Sequence, residues 1–305
     1  MSPLRRRRAV ARLLVLGSGL GFGLMAPLAR IGSSRAAGFG AAQMTLVRFV
    51  VGGLLTLALF RARPGTFRPV NRALLVARGL LGGASVLLYF VALALLPAGE
   101  ATLLNNVFPV VAVAISFFVL EERPTLHLAL ALCVVSVGVG LVVGPGSGGL
   151  GLGVGELAGL ASAVFGGAAV TSIRALRATD NAPTIFFSFC VGGIVVSAPF
   201  AGGPWPHDLG TWALAVAVGA LSFVSQISMT HAYGALTVAE AAIWQQLTPI
   251  ASYGWALLLL GERLSRLGAL GVLLGVCGIA YGTVLGHRPI GGGEPQPVVE
   301  PVDPA

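Results

Sequence analysis

Residues 100–123, EATLLNNVFPVVAVAISFFVLEER, return 140 positions later as residues 240–263, EAAIWQQLTPIASYGWALLLLGER. Without a gap, Glu100 meets Glu240, Pro109 meets Pro249, Leu120 meets Leu260, and Glu122–Arg123 meets Glu262–Arg263. The amide pair Asn105–Asn106 faces Gln245–Gln246 in the same register, which extends outward through Gly79/Gly219, Ser85/Ser225, Ala92/Ala232, Ala129/Ala269 and Gly138/Gly278. A chain that repeats itself over such a length is a duplicated half, and the duplication limits the fold before any local pattern does.

Each copy is an apolar run long enough to cross a bilayer, with a proline and two amides inside it. Of the 305 residues, 56% are hydrophobic and only 10% charged. A soluble domain carries about 25% charged residues, so this composition predicts an all-α integral membrane protein. Apolar runs place ten transmembrane helices at about 10–29, 41–60, 73–95, 99–120, 126–143, 154–174, 184–200, 211–233, 238–260 and 266–286. The organisation that follows is a basic N-terminus over 1–9, a first five-helix repeat over 10–143 and a linker over 144–153. A second repeat covers 154–286, and a Pro/Gly/acid-rich tail, expected to be disordered, covers 287–305. The first apolar run outlasts the roughly 7–15 residues of a signal-peptide core and reads as a retained first helix.

The basic residues are all arginine, and their placement sets the expected orientation. With both termini in the cytoplasm, the inner segments hold Arg5–Arg8, Arg12, Arg61, Arg63, Arg68, Arg72, Arg78, Arg123, Arg174, Arg177 and Arg288. The outer loops hold only Arg30, Arg35, Arg263 and Arg266, which is the positive-inside bias. Because five helices per half is an odd number, the second repeat must enter the membrane inverted, and inverted repeats build many secondary transporters around a midplane site. The net charge of +8 is thereby explained by topology, and no nucleic-acid partner is expected.

The ten-helix layout, the Pro…Glu–Arg ends of helices 4 and 9, and the Arg48–Phe49 pair in helix 2 resemble the EamA-type drug/metabolite transporter superfamily. The resemblance runs from Leu13 to Leu285. It implies alternating-access transport of small molecules, often export, in the cell inner membrane. Its members carry amino acids, other metabolites, nucleotide-type solutes or drugs. The Gly–Glu–Arg ending of helix 9 is Glu121–Glu122–Arg123 in helix 4, with an acid where the pattern has glycine.

Helix 3 carries Gly82, Ser85 and Tyr89 on one face, and helix 8 carries Ser222, Ser225, Gln226, Met229 and Tyr233. The small residues read as close helix packing. Tyr89 and Gln226 need polar partners or a wet cavity, and so become candidate substrate contacts. In the amide pairs, one member can face a cavity while the other ties a neighbouring helix. Asn106, Gln245 and the adjacent Trp244 join the candidate site on that ground, Trp244 as an aromatic wall. Arg48, eight residues into helix 2, either snorkels to the outer interface or pairs with a carbonyl, or else attracts an anionic substrate group such as a carboxylate.

Glu100 and Glu240 open helices 4 and 9, where the helix dipole favours a carboxylate; the alternative is a pair of protonatable gates. Glu122 and Glu262 read as interfacial ion pairs that set helix ends. Pro109 and Pro249 each remove a backbone donor and are expected to kink their helices as hinges.

The leading function is therefore a secondary transporter, with export of small organic metabolites such as amino acids as its form. A membrane-embedded enzyme or a scaffold is the alternative. No GxxxxGK[ST] motif occurs, and Asp180, Asp208 and Asp303 fall in loops or the tail. Cys133, Cys190 and Cys277 are dispersed among apolar residues. No catalytic residue, cofactor or metal is expected. The expected partners are a small-molecule substrate and the lipid bilayer, for a monomer or homodimer.

Overall fold

A computed structural model describes residues 3–33, 38–95, 104–122, 124–143, 153–260 and 266–285. Among these the regular structure is entirely helical. The helices are α1 (Pro3–Ser33), α2 (Ala41–Ala62), α3 (Arg72–Leu95), α4 (Phe108–Val119), α5 (Leu126–Val143) and α6 (Val154–Leu176). They continue as α7 (Ala182–Ser197), α8 (Leu209–Ala232), α9 (Val238–Gln245), α10 (Leu247–Leu260) and α11 (Arg266–Leu285). Six of them are long and apolar enough to cross a membrane: α1, α2, α3, α6, α7 and α8. Their outward faces are apolar, with Leu54, Val76, Leu157 and Val224 each more than half exposed. A water-soluble protein would not leave such faces uncovered; lipid would cover them.

Local chemistry sets several of the starts. The Asn181 side chain accepts from Thr184 N at 3.0 Å to cap α7, and Pro183 occupies its first turn, where a missing N–H costs nothing. Asp208 caps α8 through Thr211 N at 2.8 Å, and Thr237 caps α9 through Glu240 N at 3.2 Å. Glu121, just past the end of α4, has φ 55° in the left-handed region that favours glycine. The glycine of the Gly–Glu–Arg pattern therefore has a backbone reason, and this chain forgoes it. Glu121→Gly is expected to raise stability by up to about 1 kcal/mol, read as a higher melting temperature in detergent.

The helices pack mainly across the two halves. Helix α3 lies against α6 and α7 of the second half, and its repeat mate α8 lies against α1 and α2 of the first. Likewise α4 packs on α6 while α10 packs on α1, and α2 pairs with α7 and α5 with α11. Every one of these contacts has its counterpart under exchange of halves. Glycines permit the close approach: a Cβ on Gly138 would stand 2.7 Å from Gly275 N, and one on Gly83 2.7 Å from the Gly193 Cα.

The expected fourth and ninth helices are not continuous. Helix α9 ends at Gln245 and α10 restarts at Leu247, with a turn at Gln246. In the first half, Leu104 and Asn105 are helical, Asn106 and Val107 form a turn, and α4 starts at Phe108. The interruption thus falls at the repeat-mate positions Asn106 and Gln246. Pro109 sits in the first turn of α4, and Pro249 is the third residue of α10. The expectation of a proline kink within an unbroken helix is corrected accordingly. The break precedes each proline, and the restarted helix has no need of the absent donor.

Candidate functional site

Helices α2, α3, α7, α8 and the α9–α10 break bring most of the sequence candidates toward the interior. Arg48, about 10 Å along α2 from its start, is half-buried and donates through Nε to Ser222 Oγ of α8 at 2.8 Å. Among the described residues its bonding partner is this hydroxyl and not a backbone carbonyl. Its guanidinium carbon stands 5.8 Å from the centre of the neighbouring Phe49 ring. Tyr89 is itself half-buried. Gln245 is buried, and its Nε2 donates to the Tyr233 hydroxyl at 2.6 Å, so the amide is aimed at the C-terminal end of α8. Gln226 is 5% exposed on the Ser222 face of α8.

Trp244 is half-buried, packs against the two largest apolar clusters, and keeps its indole N–H buried without an acceptor. The ring is packed on its apolar faces and its donor is unused. Asn106 lies half-buried at the turn before α4.

The other amides are structural ties. Asn105 Oδ1 accepts from Ser162 Oγ at 3.0 Å, binding the end of the first break to α6. Gln246 Nε2 donates to Ser136 Oγ of α5 at 3.3 Å. The serine stripe divides in the same way. Ser85 Oγ donates to Ser162 O at 2.8 Å, and Gly21 of α1 packs so tightly on Ser225 that a Cβ there would strike its hydroxyl. Ser222, in contrast, serves Arg48.

At one end of the bundle, ionic contacts join the two halves. Glu240 is 2% exposed, and its Oε1 accepts from Arg12 of α1 at 2.9 Å. Glu122, at the end of the α4 segment, accepts from Arg174 Nε at 2.8 Å and from Val238 N, the first residue of α9, also at 2.8 Å. Asp180 accepts from Val70 N and Asn71 N, tying the loop before α3 to the turn before α7. Glu122 is an ion pair at a helix end, with Arg174 of the other half as its partner. Glu100 and Glu262 lie outside the described residues.

Sequence reasoning passed over Arg78, counted there only among the inner arginines. It is 3% exposed, and its guanidinium carbon stands 4.1 Å from the centre of the Phe189 ring of α7. The signal was present: Gly82, Ser85 and Tyr89 extend backward by one helical step to Arg78. Tyr233 was on the helix 8 stripe and Arg12 among the inner arginines, but their bonds to Gln245 and Glu240 appear only in the fold.

Among the described residues, no group of three His, Cys, Asp or Glu side chains is gathered as a metal ion would need. The arrangement offers cations, hydroxyls, amides and an indole, which suits binding and orienting a polar solute.

Comparison with known proteins agrees with that chemistry. The family model described as EamA-like transporter family matches residues 10–144 and 153–283, one match per half. The chain is 29% identical over 243 residues to the pseudopaline exporter CntI of Pseudomonas aeruginosa strains UCBPP-PA14 and PAO1. The alignment covers 79% of this chain and 85% of that protein. A solved crystal structure, 23% identical, superposes with a TM-score of 0.79 over 92% of this chain and 99% of its own, which supports the fold.

Proposed function

The chain belongs to the EamA-like transporter family, and from that membership we propose that it is a secondary transporter exporting small organic metabolites, amino acids or their derivatives among them. The transport cycle is alternating access between two inverted five-helix repeats, ten spans in all, with both termini cytoplasmic in the inner membrane. The observation that carries the reading is the exchange of partners between halves, together with a helix break at the same register in each. Broken helices expose free backbone groups at mid-membrane, which is tolerated where they face protein or a watery site.

Arg48, Tyr89, Asn106, Gln226, Trp244 and Gln245 form the substrate site. Glu100 and Glu240 act as gates. Glu240 with Arg12, and Glu122 with Arg174, hold the cytoplasmic side shut in this conformation; parting them opens the inward face. The hinges are the turns at Asn106–Val107 and Gln246, with Pro109 and Pro249 fixing where the next helix begins. The relatives' role as pseudopaline exporters supports the outward direction and adds pseudopaline to the solutes worth testing.

Counterflow of a metabolite panel, including amino acids and pseudopaline, into liposomes holding the purified protein tests transport. Accumulation of at least one solute, lost in Gln245→Ala, is the expected result; an inert protein across the panel removes the reading. For topology, single cysteines at Thr125 and Ser265 in a thiol-free background meet an impermeant reagent in intact cells. Labelling is expected at position 265 only, and labelling of both sites from outside sinks the inverted repeats.

A further inference from the structure

An arginine seven residues into a membrane helix would ordinarily snorkel back toward the nearer interface. Arg78 does the reverse. A Cβ on Gly82, one turn deeper in α3, would collide with Arg78 Nη1, so the head group reaches into the bundle. There its guanidinium carbon stands over the Phe189 ring, which meets Phe49 edge-on at 4.8 Å, and its Nε has no acceptor. The Arg48 guanidinium carbon stands 5.8 Å from the centre of that same Phe49 ring, so the two arginines flank one aromatic pair. Among the described residues no carboxylate bonds either guanidinium. Of the six described acids, Glu122, Asp180, Asp208 and Glu240 are engaged elsewhere at the ends of helices, while Glu121 sits just past the end of α4 and Glu156 in the first turn of α6.

Two arginines flanking one aromatic pair at low dielectric, with no carboxylate bonded to either, repel, and each carries the cost of leaving water. A cation–π contact offsets only part of that cost. The missing element is negative charge supplied from outside the chain. The guanidinium fork matches carboxylate and phosphate oxygens in a two-point bond, which an ammonium would not.

We infer that Arg48 and Arg78 form a two-point anion site between α2, α3 and α7, and that the substrate is an organic anion with at least two acidic groups. The inference rests on the transport reading and narrows its substrate class. Arg48 contributes the contact that also involves Ser222; Arg78 contributes a second contact backed by Phe189. A monoacid engages one arginine and leaves the other uncompensated.

The test is equilibrium binding to the purified full-length protein in detergent, in chloride buffer, by ligand-induced thermal stabilisation. The probes are citrate, glutarate, glycerol 3-phosphate, butyrate and alanine. Citrate and glutarate are expected to stabilise with at least tenfold higher apparent affinity than butyrate or alanine. The glycerol 3-phosphate arm distinguishes a preference for phosphate from one for carboxylate. Arg78→Gln and Arg48→Gln should each abolish the advantage of the diacid over the monoacid. Should Arg78→Gln not fold, Arg78→Lys retains the charge, and at least a fivefold loss of diacid affinity is expected from losing the planar fork.

Equal affinity for diacids and monoacids, or wild-type selectivity in both variants, overturns the proposal. Liposome counterflow separates the two readings. Transport of a neutral solute that is indifferent to Arg78→Gln rejects the diacid and keeps the transporter. Selective diacid binding without flux of any solute keeps the site and rejects transport.

Discussion

Glu122→Ala is expected to destabilise the folded protein by about 3–5 kcal/mol, the loss typical when one member of a buried ion pair is removed. Glu122 and Arg174 are 13% and 9% exposed, so water cannot replace the lost carboxylate. The same side chain also accepts from Val238 N at the start of α9, so the substitution frees a helix N-terminus as well. Arg174 would retain its 3.3 Å bond to Tyr233 O, which does not neutralise it. Denaturant titration of the detergent-solubilised protein reads the change. Glu122→Gln should fall between, since a glutamine oxygen still accepts from Val238 N. The double variant Glu122→Ala/Arg174→Ala should lose less than the sum of the single changes, because no stranded charge remains. Wild-type stability in Glu122→Ala would mean that this bridge between the halves holds nothing together.

The duplicated frame was legible because it depends on identity at a fixed spacing, and Glu100/Glu240 through Arg123/Arg263 preserve that spacing without a gap. The helix interruptions were not. The run from Val238 to Leu260 is apolar on both sides of Gln246, and hydropathy alone cannot distinguish a continuous helix from two half-helices in line. Pro249 was the visible clue, but a proline fits both a kink and the first turn of a new helix. Only the neighbours decide, here Ser136 holding Gln246 from α5.

The polar candidates divided for a similar reason. Asn105 and Gln245 occupy the same register, yet one meets Ser162 of α6, 57 residues on, and the other Tyr233 at the end of the preceding helix, 12 residues back. Arg48 was found because a charge at depth stands out. Arg78 was overlooked because its distance from the helix start suits an interfacial anchor, and the direction of its side chain is a tertiary fact. Glu121 shows the opposite case: a departure from a pattern, read from sequence as a missing glycine, acquires its meaning from one backbone angle.

Gly192→Ala is expected to prevent accumulation of the folded protein, although the same change in an isolated helix would stabilise it by roughly 1 kcal/mol. The added methyl would fall on the backbone of Gly79 in α3, where no side chain can swing aside. Gly79 is closed from its own side, since a Cβ there would stand 2.5 Å from Ser188 O. The two helices would have to separate, and overpacking of this kind costs about 1–3 kcal/mol or more. The separation would also draw Phe189 away from Arg78 and disturb the Gly83–Gly193 crossing one turn further along. Gly53→Ala, on α2, is the matched control. Its new methyl would meet Cys190 Cβ at 3.6 Å, an ordinary van der Waals distance, so the helix-propensity gain should survive. Gel filtration of fluorescently tagged protein from membranes compares the two. A single symmetric peak is expected for Gly53→Ala and an aggregated or absent one for Gly192→Ala. If Gly192→Ala runs as wild type, α3 and α7 do not approach at Gly79 in the membrane, and the seat of Arg78 against Phe189 goes with that contact.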